Sequence, residues 1–428
     1  MRRWMFLLLG PLGLFAADAP VGNVIFLHPD GTSLASWMAT RFLQVGPAGQ
    51  LNWDRLPHLA VYDGRMTDAL SASSNGGATV HAWGVRAPHA AFGFPDASAR
   101  SLSGFQGPIM REAQAAGRAV GLVQSGAHYE PGSAVHLVSA PKRADEAHIM
   151  VDLIASGAAV LLGGGERWFL PEGTVGRHGP GQRKDGRNLV EEARRAGYTV
   201  LFNREELQAA TSAPGAKFLG LFAHDHTFND RPEEELRAAQ LPNYQPQAPT
   251  FAEMTAFALR VLAAHPGGFF LVAEEEGTDN FANKNNAAGV LEAHARADAG
   301  IGVAREFLAQ HPDTLVVVAA DSNAGSMTVM GPRAATLDPA KPLPPRDANG
   351  APIDGRDGTG TLPFVARPDE NGQALPFWIS WGAKDDTSGG VIIRAEGLNA
   401  ERLRGNVDNI DLYRLMYLTL FGRELPRK

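Results

Sequence analysis

Four acidic side chains that follow apolar, strand-like segments are the residues of this sequence best suited to chemistry. They are Asp30, Glu274, Asp279 and Asp321, and the segments that they follow are Asn23–His28, Phe269–Ala273 and Thr314–Ala320. Side chains at the carboxyl ends of strands in an α/β sheet meet in one crevice. Four carboxylates in one crevice repel one another at neutral pH unless a positive charge lies between them. The pattern predicts a metal-dependent enzyme with one or two divalent ions, although any one of these residues could instead cap a helix or begin a turn.

A sheet is needed to position these carboxylates, and the chain alternates apolar segments with amphipathic ones. The predicted strands are Val24–Leu27, Ala119–Val123, Ala158–Leu162, Thr199–Phe202, Phe218–Phe222, Phe269–Ala273, Leu315–Ala320 and Phe377–Ser380. The predicted helices include Gly107–Ala116, Ala144–Ala155, Gly186–Ala196, Thr250–Ala264, Ala287–Ala309 and Ile410–Leu420. This alternation predicts an α/β fold of three layers, in which helices cover both faces of a mostly parallel central sheet.

Composition narrows the class of protein further. The chain has 428 residues, a formal net charge of −7 and no cysteine, which excludes disulfides, thiolate metal sites and a cysteine nucleophile. No basic stripe indicates a nucleic-acid partner. We expect one catalytic domain over residues 20–428, with a surface excursion rich in Pro and Gly near 331–375.

The N-terminus has the pattern of a signal peptide over residues 1–19. A charged start, Met1-Arg2-Arg3, precedes the apolar stretch Trp4–Phe15, and Ala17-Asp18-Ala19 has the small-x-small form of a cleavage site. The apolar stretch is short for a bilayer span, so cleavage is favoured over an uncleaved anchor. No later segment has the pattern of a membrane span. The mature chain is therefore expected to be periplasmic or secreted.

The order of several motifs resembles that of the alkaline phosphatase family. NVIFLHPDG resembles the family's first strand, which ends in a metal-binding Asp, and AVGLVQSGAHYEPGSAVH resembles the strand before its magnesium-site segment. AAVLLGGGERWF resembles its glycine turn, and PTFAEMTAFALRVLAAHPGGFFLVAEEEGTD the helix and strand before its Glu-x4-Asp metal pair. TLVVVAADS and VDNIDLYRLMYLTLFG resemble its next metal strand and its closing helix. The resemblance runs from Asn23 to the C-terminus and implies the family's fold and phosphomonoesterase activity.

The resemblance implies metal-binding roles for six side chains: Asp30, His128, Glu130, Glu274, Asp279 and Asp321. Asp30 would bridge ions, and Glu274 would serve a magnesium-type site together with His128 and Glu130. Glu130 stands where the family usually has a Thr. Asp279 would bind the ion that activates the attacking water, and Asp321 the ion that holds the nucleophile.

The nucleophile implied by the resemblance is Ser74, which would also bind a metal ion. The family has a Ser or Thr at a helix start, ten residues before a Gly-Val-Lys sequence, and Gly84-Val85-Arg86 fits that sequence here. A helix start offers free N–H groups to a phosphoryl oxygen. Ser73 is the alternative nucleophile, and a helix cap is the alternative role for Ser74.

The departures from the family pattern predict a different choice of metal. Where the family has three His ligands in its zinc sites, this chain has Asn283, Ser322 and Asp386. Oxygen donors suit Mg²⁺, Ca²⁺ or Mn²⁺ better than Zn²⁺, and we expect two or three ions per chain. The alternative is a site that has lost activity. The family's phosphate-binding Arg is replaced by Ala140, and Lys142 or Arg143 is either its substitute or a solvated surface charge.

These observations predict an exported, metal-dependent phosphomonoesterase that acts on small phosphate esters through a phosphoseryl intermediate. Phosphodiesterases and sulfatases of the same superfamily are the alternative enzymes. A catalytically silent exported binding protein with a structural metal is the alternative of another class. A homodimer is left open.

Overall fold

The computed structural model describes residues 19–331 and 338–427, so the predicted signal peptide lies outside them except for Ala19. The strands are β1 (Asn23–Pro29), β2 (His58–Asp63), β3 (Ala119–Ala127), β4 (Val160–Gly164), β5 (Tyr198–Leu201), β6 (Lys217–Leu221), β7 (Phe269–Glu275), β8 (Thr314–Val318), β9 (Asn323–Ala324), β10 (Thr328–Met330), β11 (Ile353–Gly355), β12 (Gly358–Thr359), β13 (Phe364–Val365), β14 (Pro376–Ser380), β15 (Asp386–Thr387), β16 (Ile392–Gly397) and β17 (Gly405–Asp408).

The helices alternate with these strands along most of the chain. They are α1 (Leu34–Gln44), α2 (Ser74–Trp83), α3 (Ile109–Ala115), α4 (Pro131–Ala134), α5 (Glu146–Ala155), α6 (Leu189–Arg195), α7 (Arg204–Ala209), α8 (Glu233–Ala239), α9 (Phe251–Leu262), α10 (Gly277–Asn283), α11 (Ala287–Gln310) and α12 (Asn409–Phe421). Short 3-10 turns lie at Trp53–Arg55, Glu166–Trp168 and Ala400–Arg402. No helix in the described ranges is long and apolar enough to cross a membrane.

A ten-stranded sheet forms the centre of the fold. Its order is β17-β2-β16-β8-β1-β7-β3-β4-β6-β5. The pairings are parallel except those of β16, which runs antiparallel to both β2 and β8. β1 lies between β8 and β7, with Val24 beside Leu315 on one side and Phe270 on the other. The predicted mostly parallel sheet is confirmed.

The alternating side chains of β1 enter two different cores. Val24 and Phe26 pack in a core that includes residues of α2, α3, α5, α6 and α12. Ile25 and Leu27 pack in a second core with residues of α9 and α11. Successive side chains of a strand point to opposite faces of its sheet, so helices cover both faces. The three-layer arrangement predicted from the alternation is therefore confirmed.

The segment after β8 builds a smaller antiparallel sheet. β10, β14, β11 and β12 lie in that order, and β13 also pairs with β14. The predicted strand Phe377–Ser380 belongs to this sheet and not to the central one. The excursion predicted near 331–375 supplies β11 to β13, and its residues 332–337 lie outside the described part of the chain. A separate hairpin joins β9 to β15 and brings Asp386 beside Ala324.

Three strands of the central sheet, β2, β16 and β17, were not predicted. β2 and β17 lie at one edge of the sheet, where the exposed side chains of Leu59 and Val61 alternate with buried ones. Short edge strands with one exposed face lack the continuous apolar run that marks a buried parallel strand. Their pairing depends on the antiparallel strand β16, which a βα repeat does not predict.

Candidate active site

The carboxyl ends of β1, β7 and β8 lie side by side and carry the predicted carboxylates. β1 and β7 pair in a register that places His28 beside Glu274. Asp30 follows β1 directly, and Asp321 comes three residues after the end of β8. The exposed fractions of Asp30, Glu274 and Asp321 are 0%, 0% and 2%. Parallel neighbours thus bring residues from distant parts of the sequence into one buried crevice.

Two groups of side chains are close enough to share an ion, and Asp30 belongs to both. The first group is His28, Asp30 and Glu274, and the second is Asp30, Glu276 and Asp279. One ligand atom from each member of a group lies within 4.8 Å of the others. Glu276 and His28 were not predicted from the sequence as metal ligands. We use the name carboxylate cluster for the second group, Asp30, Glu276 and Asp279, together with the neighbouring residues Asp321 and Asp386.

Ser74 reaches this cluster because a glycine lets α2 approach it. A Cβ atom on Gly77 would lie 2.4 Å from Cβ of Asp321, a distance that no real side chain tolerates. The first turn of α2 therefore lies directly against Asp321. Ser74, 6% exposed, is the first residue of α2, and it acts on Asp30 closely enough to help lower the pKa of that carboxyl.

Ser73 and Ser74 have different tasks at the start of α2. The Ser73 hydroxyl accepts a hydrogen bond from the amide of Gly76 at 3.2 Å and donates one to the carbonyl of His89 at 2.5 Å. Ser73 is therefore the helix cap. The capping role suggested as an alternative for Ser74 is taken by its neighbour, and Ser74 is left beside the free N–H groups of the first turn.

Arg143 is the cation that points into the crevice. Its guanidinium forms an ion pair with Glu130, which is fully buried, and lies 3.8 Å from Oε1 of Glu276. The pKa of Arg143 is raised: burial opposes its charge, but Glu130 and Glu276 outweigh the burial. Lys142 points elsewhere, since its side chain is 69% exposed and lies 3.8 Å from Asp145. Of the two cations considered from the sequence, Arg143 is the one at the site.

Comparison with known proteins decides the family. A family model described as "Alkaline phosphatase" matches residues 21–349. The chain belongs to the alkaline phosphatase family. It is 29% identical over 338 residues to an alkaline phosphatase of Gadus morhua, a match that covers 70% of this chain and 68% of that one. It is 28% identical over 437 residues to the streptomycin-6-phosphate phosphatase of Streptomyces griseus, covering 93% and 90%.

Solved structures agree on the fold. The crystal structure of the Thermus thermophilus alkaline phosphatase superposes with a TM-score of 0.72 at 23% identity, and the match covers 97% of this chain and 96% of that one. The chain is therefore a phosphatase-type hydrolase on an alkaline phosphatase fold. The family uses divalent metal ions, and the two groups around Asp30 are places that could hold them.

Asn283 presents nitrogen to the cluster, whereas the sequence analysis expected an oxygen ligand. Its Nδ2 group donates to both carboxyl oxygens of Asp279, at 3.2 and 3.1 Å, and to Oδ1 of Asp386 at 3.2 Å. Its Oδ1 accepts a hydrogen bond from the amide of Gly325 at 3.2 Å, which fixes the amide in this orientation. Asn283 as placed therefore holds two carboxylates together and offers no lone pair to an ion.

His128 is not brought to the cluster. Its Nε2 lies 2.8 Å from the carbonyl oxygen of Gly220 in β6, and its ring packs edge-on against Phe169. Burial lowers the pKa of His128 to about 4. The role of metal ligand that the family resemblance implied does not fit this placement. Glu130, expected beside it as a ligand, pairs with Arg143 through Oε2, and its buried Oε1 has no hydrogen-bond partner among the described residues.

Ser322 follows Asp321 and is buried, with an exposed fraction of 2%. Its hydroxyl has no hydrogen-bond partner among the described residues. The same is true of both carboxyl oxygens of Asp321 and of Oδ2 of Asp30. Buried polar atoms nearly always have partners in folded proteins, so these atoms are the positions at which a bound cation would be expected. A set of carboxylate and hydroxyl oxygens fits a hard divalent ion.

The electrostatics of the cluster lead to the same conclusion. Burial, followed by the charges of neighbouring carboxylates, raises the pKa of Glu276, Asp279 and Asp321 well above the ordinary range. Asp30 behaves differently. Burial opposes its ionisation, but the charge of His28, whose Nε2 lies 3.3 Å from Oδ1 of Asp30, lowers its pKa on balance. Such a cluster ionises at neutral pH only when cations compensate it.

Proposed function

We propose that this chain is an exported, metal-dependent phosphomonoesterase that uses Ser74 as its nucleophile. The observation that carries the proposal is the position of Ser74, at the first residue of α2 and against Asp30 and Asp321. An activated Ser needs a group that stabilises its alkoxide and an oxyanion site for the phosphoryl oxygens. Divalent ions held by the cluster would stabilise the alkoxide, and the helix start offers the oxyanion site.

The residues of the chain would divide the first chemical step among them. The hydroxyl proton of Ser74 passes to solvent as the Ser74 oxygen attacks the phosphorus of the ester. The P–O bond to the alcohol breaks, and the alcohol oxygen takes up a proton from solvent as it leaves. The N–H groups of the first turn of α2 and the guanidinium of Arg143 bind the non-bridging oxygens. Divalent ions, when bound, neutralise the phosphoryl charge and lower the pKa of attacking oxygens.

The second step releases phosphate from Ser74. Water attacks the phosphorus, the bond between phosphorus and the Ser74 oxygen breaks, and Ser74 regains a proton. We assign the proton of the attacking water to the carboxylates Asp279 and Asp386, which Asn283 holds side by side.

Metal, substrate and location complete the proposal. Two or three ions would be held through Asp30, Glu276, Asp279, Asp321, Ser322 and Asp386, with Mg²⁺, Ca²⁺ or Mn²⁺ preferred to Zn²⁺ because these donors are oxygen atoms. The substrate is a small phosphate ester. A signal peptide over residues 1–19 directs the chain to the periplasm or the medium, where it acts alone or as a homodimer.

A substrate panel with two Ser variants tests the proposal. The purified full chain, loaded in turn with Mg²⁺, Ca²⁺ and Mn²⁺, is assayed on p-nitrophenyl phosphate, bis-p-nitrophenyl phosphate and p-nitrophenyl sulfate. We expect the monoester to be preferred. Ser74→Ala should lose roughly a thousandfold or more of kcat. Ser156→Ala is the matched control, because Ser156 is also buried and its hydroxyl bonds locally, to the carbonyl of Leu153 and the amide of Ala158.

The alternatives correspond to other outcomes of the same panel. Preference for the diester or the sulfate would replace the proposed activity by a phosphodiesterase or a sulfatase. Near-normal activity of Ser74→Ala would exclude Ser74 as the nucleophile. A folded protein that is inactive on every substrate with every ion would favour a catalytically silent binding protein.

A further inference from the structure

Beside the carboxylate cluster, the buried side chains of His28, Asp30 and Glu274 bring donor atoms together, and all three residues are 0% exposed. Nε2 of His28 and Oε1 of Glu274 have no hydrogen-bond partner among the described residues, and Oδ1 of Asp30 lies 3.3 Å from Nε2. These side chains form the first of the two groups whose ligand atoms lie within 4.8 Å of one another. A buried donor set of this kind needs a partner, because fully buried polar atoms are seldom left unsatisfied.

Each of the three side chains is held in place by a second contact. Nδ1 of His28 lies 2.8 Å from the carbonyl oxygen of Ala319, which can only accept, so Nδ1 carries a proton. The amide of Gly31 donates to Oδ1 of Asp30 at 2.8 Å. A backbone carbonyl on the far nitrogen of the imidazole is the usual support of a metal-binding His.

Glu274 is oriented in the same way by its neighbour in β3. Its Oε2 accepts a hydrogen bond from Nε2 of Gln124. The orientation of that amide is fixed in turn, because Oε1 of Gln124 accepts from the amide of Gly126 at 2.8 Å. Oε1 of Glu274 is thereby left without a hydrogen-bond partner among the described residues.

Gly132 packs directly against two of these ligands. A Cβ atom on Gly132 would lie 2.1 Å from Oε1 of Glu274 and 2.5 Å from Cδ2 of His28. Any side chain at this position of α4 would displace one ligand or the other.

An ion pair between a protonated His28 and Asp30 explains these observations less well. Nε2 of His28 lies 3.3 Å from Oδ1 of Asp30 but makes no hydrogen bond to it. One imidazolium would also leave two buried carboxylates with a single positive charge. A divalent ion balances both carboxylates and takes the lone pair of Nε2.

We propose that His28, Asp30 and Glu274 form a metal site for a first-row transition ion such as Mn²⁺ or Zn²⁺. Three His ligands of the family's zinc sites are absent from this sequence. The proposed site contains one imidazole, that of His28 in β1. A nitrogen donor beside two carboxylates favours transition ions over Mg²⁺ or Ca²⁺. Asp30 would connect this His28 site to the carboxylate cluster. The inference does not depend on phosphatase activity, because the site is detected by the metal that it holds.

Metal analysis of a His28 variant tests the site. The wild type, His28→Asn and His294→Asn are stripped with chelator, reloaded with Mn²⁺ or Zn²⁺, dialysed and counted by mass spectrometry. His294→Asn is the matched control, because His294 is also buried, with its Nδ1 2.9 Å from the carbonyl of Val290 in the same helix, α11. We expect His28→Asn to hold one transition ion per chain fewer than both other proteins. Equal counts in all three would overturn the proposal.

A measurement on the wild type alone covers the case in which His28→Asn does not fold. The full chain loaded with Co²⁺ is studied by visible and X-ray absorption. We expect imidazole scattering around the cobalt and a ligand-field spectrum that differs from that of an all-oxygen site. Cobalt surrounded by oxygen alone would refute the His28 site, whatever the fate of the variant.

Discussion

Gly77 and Asp321 lie in direct contact, since a Cβ atom on Gly77 would come within 2.4 Å of Cβ of Asp321. This contact joins the helix that carries Ser74 to the strand end that carries a cluster carboxylate. Gly77→Ala should push the two apart and lower kcat/KM on p-nitrophenyl phosphate by about a hundredfold, because small misplacements of reacting groups have effects of that size. Overpacking should also cost about 1–3 kcal/mol of unfolding free energy, measured in urea.

Gly331→Ala is the control for that variant, because a Cβ atom at Gly331 meets no atom of the described residues within 4 Å. Its activity and urea midpoint should match those of the wild type. Wild-type activity in Gly77→Ala would mean that α2 can move without consequence, and the role assigned to Ser74 would lose its main support.

Asn283→Asp should make the protein dependent on metal for its stability. The substitution replaces the NH2 group that joins Asp279 and Asp386 by a third carboxylate. Hydrogen bonds to charged groups contribute about 1.5–3 kcal/mol, and repulsion adds to their loss. We expect a lower melting temperature in chelator and a recovery with Ca²⁺ or Mn²⁺, measured by scanning calorimetry. Asn243→Asp is the control, since Asn243 donates in the same manner to Glu292 at 3.0 Å, and metal should not restore it.

Metal preference should follow the oxygen donors of the cluster. Enzyme stripped by chelator should regain phosphatase activity with Ca²⁺, Mg²⁺ or Mn²⁺, and not with Zn²⁺ alone. Placing His together at positions 283, 322 and 386 should shift recovery toward Zn²⁺. The measurement is kcat for each ion with bound metal counted in parallel. Full recovery of the wild type with zinc as its only metal would contradict the expected preference.

Glu233 should make stability depend on pH outside the active site. It is 7% exposed; burial first, and then the charge of Asp354, raises its pKa from 4.5 to about 8. Between pH 4.5 and 8 the folded chain keeps a proton that the unfolded chain has lost. The unfolding free energy therefore falls as the pH rises through this window, by up to about 1.4 kcal/mol per pH unit. Glu233→Gln should flatten the dependence in urea titrations, while the exposed control Glu235→Gln should keep it.

The sequence was sufficient to predict the central sheet and the region of the site. Long apolar runs such as those of β1, β7 and β8 are typical of strands buried on both faces. Such strands occur in parallel sheets that helices cover on both sides. Acidic residues directly after such strands must then meet at one edge, as Asp30 and Asp321 do. These features depend on local pattern and on the rules of sheet topology, so they can be predicted without coordinates.

Only the tertiary structure decided which atoms face the crevice. Glu274, Glu275 and Glu276 are identical in type and consecutive, but Glu275 turns toward Ser125 and Tyr244 while Glu276 joins Asp30. Their directions depend on where β7 ends, and neighbouring strands set that point.

Tertiary structure also decided the roles of His28 and Asn283, which differ from those expected from the sequence. His28 looks like a core residue within an apolar strand, and its role emerges only beside Glu274 of β7. Asn283 donates nitrogen to the cluster because the amide of Gly325, beyond the next strand, fixes its orientation. The sequence therefore determined the residue types and the periodicity of the strands. It did not determine which atoms face the site, because that depends on contacts between segments far apart in the chain.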